Sequence, residues 1–237
     1  MTAPLKTTPA ACRLALIFAA SEPVAVILRR GPAAWVEMIK WNTRKDVFED
    51  GQWLRGRIYE ERCGLSPDGT LLVYFALKHG RVDEASGYRQ TFTAVSKPPF
   101  LTALAMWPQG DTWGGGGGFI DNRTLRLAYG ANGTRHPHDG GTTEIYMAPL
   151  PRHHPDHAPR GVKIETDLDR YAPDRDFRVD NLIEGADWCG KDHRGRTIFT
   201  RNGALFCINK NKRETLLRDF NPDQHRPLAP SRRAQCW

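Results

Sequence analysis

The stretch Cys63-Gly-Leu-Ser-Pro-Asp-Gly-Thr-Leu-Leu-Val-Tyr74 places a turn directly before an apolar strand. Proline fixes φ, aspartate can bond to its own backbone, and glycine accepts positive φ, so Pro-Asp-Gly predicts a tight turn. Residues 71–75 are aliphatic and aromatic, which predicts a buried β-strand. The combination of aspartate, turn and strand is the unit from which we predict the fold.

Two later stretches have the same plan. They are Gly118-Phe-Ile-Asp-Asn-Arg-Thr-Leu-Arg-Leu127 and Trp188-Cys-Gly-Lys-Asp-His-Arg-Gly-Arg-Thr-Ile-Phe199. The aspartates Asp68, Asp121 and Asp192 hold equivalent places, 53 and 71 residues apart. Propeller blades repeat about every 40–50 residues, so the first interval fits and the second requires an insertion.

Strand patterns dominate the rest of the chain. They cover residues 14–18, 24–28, 35–41, 91–95, 124–128, 143–147, 197–200 and 204–208. In 35–41 the alternation is imperfect, because Glu37 shares a face with Trp35, Ile39 and Trp41. Only residues 101–107 suggest a helix, and prolines bracket them closely. The 22 glycines and 17 prolines suit many turns between short strands, so we predict an all-β fold with little helix.

Residues 66–74, Ser-Pro-Asp-Gly-Thr-Leu-Leu-Val-Tyr, resemble the opening of a blade in WD-repeat and related bacterial β-propellers. Trp41-Asn42 resembles a degenerate form of their Trp-Asp dipeptide. The resemblance implies a propeller-like array of four, possibly five, antiparallel blades around a channel, used as a binding platform. We place the blade-like units at about 22–62, 63–110, 111–165 and 166–230. Strand 13–18 is expected to close the ring against the last unit.

The run Trp113-Gly-Gly-Gly-Gly-Gly-Phe119 does not fit a phosphate-binding loop, because no Lys-Ser or Lys-Thr pair and no helix pattern follow it. Five glycines together indicate a close approach of backbone to another part of the protein, or a flexible surface loop. Crowding of strands at a propeller hub would require such an approach.

We predict a non-enzymatic scaffold for a protein or peptide partner, because tryptophan is enriched at interface hot spots. The candidate contacts are Trp53, Trp107 and Trp113, with Gly115 and Gly116. Core packing is the alternative role for each tryptophan. A hydrolase or lyase is the alternative function, with Asp68, Asp121, Asp192 and His193 meeting at the ring mouth. Aspartates that cap their own turns are the simpler explanation.

The net charge of +7 resides in one segment. Residues 191–237 hold 11 basic and four acidic side chains, while residues 1–190 are balanced. A basic patch of Lys210, Lys212, Arg213, Arg232 and Arg233 makes nucleic-acid binding a second alternative function. An ordinary solvated surface explains these charges equally simply.

Neither a cofactor nor a metal site is predicted. Histidines cluster at 136–138 and 153–157, but within proline-rich loops. No apolar run is long enough for a transmembrane helix, and the apolar residues 14–20 are better explained as a strand than as a signal peptide. Five widely spaced cysteines without a CxxC pair suit a reducing compartment. We therefore expect a cytoplasmic protein without membrane contact.

Overall fold

The computed structural model describes residues 10–78, 90–112, 114–128, 183–209 and 211–235, and the backbone of 163–167. Strands hold about half of the described residues, and helix is almost absent among them, which confirms the all-β prediction. The only helical segments described are two single 3-10 turns, Glu60–Arg62 and Arg232–Ala234. The strand predicted at 143–147 lies outside the described residues.

The first eight strands form one continuous hydrogen-bonded array, which we describe as two antiparallel sheets joined by β4. The first sheet has the strand order β1-β2-β3-β4. In the second sheet the end of β4 and the short strand β5 both pair with β6, β6 pairs with β7, and β7 pairs with β8. β4 joins them, because its early residues pair with β3 and its last three pair with β6. The bounds are β1 Arg13–Phe18, β2 Val24–Arg30, β3 Trp35–Asn42, β4 Val47–Ile58, β5 Gly64–Leu65, β6 Leu72–Lys78, β7 Thr91–Ser96 and β8 Ala105–Pro108.

The remaining strands form two smaller sheets. The third sheet has the order β11-β10-β9, with β10 and β11 parallel. The fourth sheet is the antiparallel series β12-β13-β14-β15. The bounds are β9 Gly117–Phe119, β10 Thr124–Ala128, β11 Lys163–Asp167, β12 Trp188–Lys191, β13 Thr197–Arg201, β14 Ala204–Ile208 and β15 Glu214–Asp219.

The four sheets pack face to face in a definite order. One apolar cluster joins the first sheet to the second, for example through Met38 and Tyr74. A second cluster joins the second sheet to the third, and includes Trp107 and Leu125. A further cluster places the fourth sheet against the other face of the first sheet. The last sheet in the sequence therefore packs on the first, and the first two sheets are covered on both faces.

The turns that follow the first strand of each sheet are linked in the same order. The Nε2–H of His193 donates to the carbonyl oxygen of Ala19 at 2.7 Å, which joins the fourth sheet to the first. The Ser21 N–H donates to the carbonyl oxygen of Pro67 at 2.8 Å, in the turn of the second sheet. The Asp68 N–H donates to Oδ1 of Asn122 at 2.9 Å, in the third. These turns therefore form one hydrogen-bonded rim.

One expectation differs from the structure. Residues 105–108 form the edge strand β8 instead of the end of a helix, because they pair with β7 and the flanking prolines leave no room for a helix. Strand β1 pairs with β2 from Arg13 to Phe18, and closure of a ring by this strand stays a prediction. Its contact with the fourth sheet is made by side chains, through apolar groups such as Leu16.

Candidate functional site

The aspartates predicted at the ring mouth serve their own turns. Oδ1 of Asp68 accepts hydrogen bonds from the hydroxyl of Ser66 at 2.6 Å and from the backbone and hydroxyl of Thr70. Burial alone would raise the pKa of the Asp68 carboxyl, but these hydrogen bonds outweigh it and lower the pKa. Asp121 likewise accepts backbone hydrogen bonds from Arg123 and Thr124 at 2.7 Å each, which lower its pKa.

Asp192 and its neighbours hold the fourth sheet against the first. Oδ1 of Asp192 accepts hydrogen bonds from the backbone N–H groups of Arg194 and Arg196, and Oδ2 accepts one from Nε of Arg196 at 2.8 Å. The Arg196 guanidinium also binds both oxygens of Asp46, at 2.7 and 2.8 Å, from the first sheet. His193 adds its hydrogen bond to Ala19. These contacts assign a structural role to Asp192 and His193.

The predicted partner contacts have three different environments. Trp107 is only 1% exposed and packs in the cluster between the second and third sheets, so its ring cannot reach a partner. This corrects its assignment as a contact residue in favour of the core alternative. Trp53 is half-buried and lines a surface cavity. Trp113 lies outside the described residues.

Gly115 and Gly116 are buried and have positive φ, +97° and +89°. A Cβ at Gly115 would collide with Gln109 and the Phe75 ring, and a Cβ at Gly116 would collide with the backbone carbonyl of Arg62. The Arg62 side chain in turn donates to the carbonyl oxygen of Gly114 at 2.8 Å. The glycine run therefore allows a close backbone approach between the second and third sheets, and Gly115 and Gly116 are buried at this approach instead of exposed to a partner.

The basic residues are dispersed over the chain. Lys212 and Arg213 are exposed at the turn between β14 and β15, whereas Arg232 and Arg233 lie in the last 3-10 turn. Lys210 lies outside the described residues. Other basic groups of residues 191–237 form ion pairs, such as Arg201 with Glu214 at 2.8 Å. Nucleic-acid binding by this segment stays a prediction.

A cavity of about 430 Å³ opens between the first sheet and the segment that follows β15. None of the predicted aspartates lines it. The Arg29 guanidinium positions the segment by donating to the carbonyl oxygens of Phe220 and Asp223, each at 3.0 Å. Nε2 of Gln52 donates to the carbonyl oxygen of Leu228 at 2.9 Å. The lining residues are Glu37, Asp50, Gly51, Trp53, Pro222, Asp223, Gln224, Arg226, Pro227 and Leu228.

Glu37 is the unusual group of this cavity. It is 3% exposed, and Oε2 is fully buried without a hydrogen-bond partner among the described residues. A β-bulge sets its position: Glu37 pairs with Trp53, but Ile39 pairs with Asp50, so the register shifts between them. Gly51 lies at this shift, where any side chain would collide with neighbouring backbone carbonyls. The bulge thus places a carboxyl group and an indole on the same wall.

The electrostatics of the cavity oppose ionisation of Glu37. Burial is the largest cause, and the charges of Asp223 and Asp50 add to it, so the pKa of the Glu37 carboxyl rises to about 8. Arg218 and Arg29 act in the opposite direction with less effect. Burial also raises the pKa of Asp223, although Arg218 opposes the shift. At neutral pH Glu37 therefore holds its proton and presents a neutral carboxyl group.

The two cations that act on Glu37 are already engaged, and Arg226, which also lines the cavity, is not among the charges that shift its pKa. Arg218 donates to Asp50 at 2.6 Å and to Asp223 at 2.8 Å. Arg29 donates to three backbone carbonyls and lies over the Trp53 ring, 5.1 Å from its centroid. Beside the cavity, the His225 ring stacks on Trp35 with centroids 4.0 Å apart. The carboxyl group thus has charged neighbours, but no donor for Oε2 among the described residues.

Sequence analysis did not identify this cavity. The one signal in the sequence was Glu37, an acid on an otherwise apolar face of β3. The strand pattern alone shows this acid only as a break in the apolar alternation. Comparison of the chain with family models, with curated proteins and with solved structures found no match. In the part of the chain that the structure describes, no helix is long and apolar enough to cross a membrane.

Proposed function

We propose that this chain is a non-enzymatic interaction module with a propeller-like arrangement of sheets. The support is the order in which the sheets pack, with the fourth sheet on the first and the second between the first and third. The hydrogen-bonded rim of equivalent turns follows the same order, as it would in successive blades. The resemblance of residues 66–74 to a blade opening agrees with this arrangement.

The partner, a protein or peptide, binds at the cavity beside Trp53. The observation that carries this proposal is the combination of a half-buried indole with a buried carboxyl oxygen that no described group satisfies. The cavity volume of about 430 Å³ lies within the range of roughly 300–1,000 Å³ that is typical of ligand sites. Leu228, 43% exposed at the cavity wall, offers additional apolar surface to a partner. One wall is formed by strands β3 and β4, and the other by the segment after β15, which hydrogen bonds from Arg29 and Gln52 hold in place.

Selection from a displayed library of random peptides tests the proposal. The purified protein is the bait, and enriched peptides are measured by titration against two variants. Leu228→Arg obstructs the cavity, and Leu216→Arg is the matched control, because Leu216 is 54% exposed on β15 and does not line the cavity. We expect the affinity to fall at least about tenfold for Leu228→Arg alone, a change of roughly 1.4 kcal/mol. Equal affinity for all three proteins would contradict the proposal.

Acid–base catalysis is a second candidate, in the hydrolase or lyase class. Glu37 favours it, because a carboxyl with a pKa of about 8 is protonated at neutral pH and can act as a general acid. Asp50 or Asp223 would then be the base. Hydrolysis of chromogenic glycosides by the purified protein tests this function. Activity that disappears in Glu37→Gln would support an enzyme, and activity that survives in this variant would exclude Glu37 as the acid.

A further inference from the structure

The unpartnered oxygen of Glu37 defines what the cavity requires from a ligand. The side chain is more than nine-tenths buried, and Oε2 receives no hydrogen bond from the described residues. A buried polar atom without a partner is costly, and a ligand that supplies a donor removes the cost. Oε2 can only accept while the carboxylate is ionised, so the complementary ligand group is a strong donor.

The surrounding charges favour a cationic donor. Asp223 and Asp50 each affect Glu37 more than Arg218 or Arg29 does, so the net field at its carboxyl group is negative. The two arginines are committed to the aspartates and to backbone carbonyls. Among the described residues no cation donates to Oε2 of Glu37, so a ligand cation would meet both an unpartnered oxygen and a negative field.

We propose that the cavity binds a basic side chain of a peptide partner, an alkylammonium or guanidinium group that donates to Oε2 of Glu37. The proposal rests on the proposed function and names the ligand chemistry of that site. An organic cation is favoured over a metal ion, since no group of three or more potential metal ligands occurs among the described residues. Trp53 and Leu228 supply apolar surface for the methylene stem of such a side chain.

Binding of the cation is coupled to release of a proton. The cation pairs with the ionised carboxylate, whereas the empty site keeps Glu37 protonated up to about pH 8. Below this pH the ligand must displace the proton, so affinity rises about tenfold per pH unit and levels off above pH 8. Four charged groups, Asp223, Asp50, Arg218 and Arg29, contribute to the Glu37 pKa on which this range depends. Arg226 also lines the cavity but is not among the groups that shift this pKa.

Calorimetric titration with three capped tripeptides tests the proposal. They are Gly-Lys-Gly, Gly-Arg-Gly and the neutral analogue Gly-norleucine-Gly, each acetylated and amidated. We expect the two basic peptides to bind about 90-fold more tightly at pH 9 than at pH 6, which follows from a pKa of about 8. At pH 6 about one proton is released per bound peptide, measured from the binding enthalpy in two buffers. Norleucine should bind weakly and without pH dependence.

Glu37→Gln should abolish the pH dependence and the proton release, while Glu49→Gln, an exposed glutamate on β4, should retain both. The wild-type profile alone decides the matter if the Glu37→Gln variant does not fold. Equal binding of norleucine and lysine peptides would overturn the proposal. If no tripeptide binds but peptides sensitive to Leu228→Arg are selected from the library, the cation assignment fails and the interaction module stands.

Discussion

Replacing Glu37 with glutamine should make the protein more stable at alkaline pH than the natural chain. The folded-state pKa of Glu37 is about 8, against 4.5 for an unperturbed glutamate. Between these values the folded protein holds a proton that the unfolded chain has lost. Stability from this group is fully present below about pH 4.5 and is lost as pH rises through 8. The variant has no such group and should not show this loss.

The magnitude follows from the shift. Each pKa unit corresponds to about 1.4 kcal/mol, so the wild type should lose up to about 5 kcal/mol of unfolding free energy between pH 4.5 and 8 through Glu37. Glutamine has nearly the shape of a protonated glutamic acid, so the two proteins should differ by less than about 1 kcal/mol at pH 5. The variant should lead by about 3 kcal/mol at pH 7 and by most of the full amount at pH 9.

Urea unfolding at pH 5, 7 and 9, followed by tryptophan fluorescence, measures these differences. Glu49→Gln is the matched control and should track the wild type at each pH, because Glu49 is exposed on the strand that borders the same cavity. A difference between Glu37→Gln and wild type that stays constant from pH 5 to pH 9 would refute the argument. It would mean that Glu37 is ionised in the folded protein across this range.

Two further substitutions test the contacts between sheets. Gly116→Ala should destabilise the protein by at least about 2 kcal/mol more than the control Gly195→Ala, as measured by urea unfolding. Both glycines have positive φ, but of the two only Gly116 has backbone atoms within collision distance of an added Cβ. Equal losses of stability in the two variants would mean that the close approach at Gly116 is unimportant. Arg196→Met should lower the free energy of unfolding by about 3–5 kcal/mol, because it leaves the buried Asp192 carboxylate without its cation. Asp46→Asn should lower it by less, and thermal or urea unfolding measures both variants. A loss below about 1 kcal/mol for Arg196→Met would contradict the assigned role of this ion pair.

The strands that the sequence predicted are those with dense apolar residues. β2 and β6 are buried on both faces, so nearly every position is apolar and the pattern is strong. β4 was not predicted, although it is the longest described strand at 12 residues. It contains Glu49, Asp50 and two glycines, because it forms a bulge and changes its partner from β3 to β6. The apolar strand pattern in the sequence is weakest in β4, where one strand pairs with neighbours in two sheets.

The aspartates were recognised, but their function was not settled by sequence. Asp68, Asp121 and Asp192 do lie in equivalent turns, and each carboxylate is satisfied there. The cavity could not be predicted, because it joins Glu37 on β3 to Asp223, far apart in the chain. The periodicity of apolar residues along the chain carries no information on a contact between segments that are so far apart in sequence. The out-of-place acid on β3 was the one local indication, and only the bulge explains why it is tolerated.

The packing of the fourth sheet on the first also bears on biosynthesis. Cys12 N–H donates to Oδ1 of Asn221, and Nε of Arg29 donates to the carbonyl oxygen of Phe220, so partners about 200 residues apart must meet. During translation the outer face of the first sheet, with Ile27 and Trp41, stays uncovered until the fourth sheet has left the ribosome. Such long-range closure slows folding. The uncovered apolar strands therefore favour aggregation of the nascent chain until the fourth sheet packs on them.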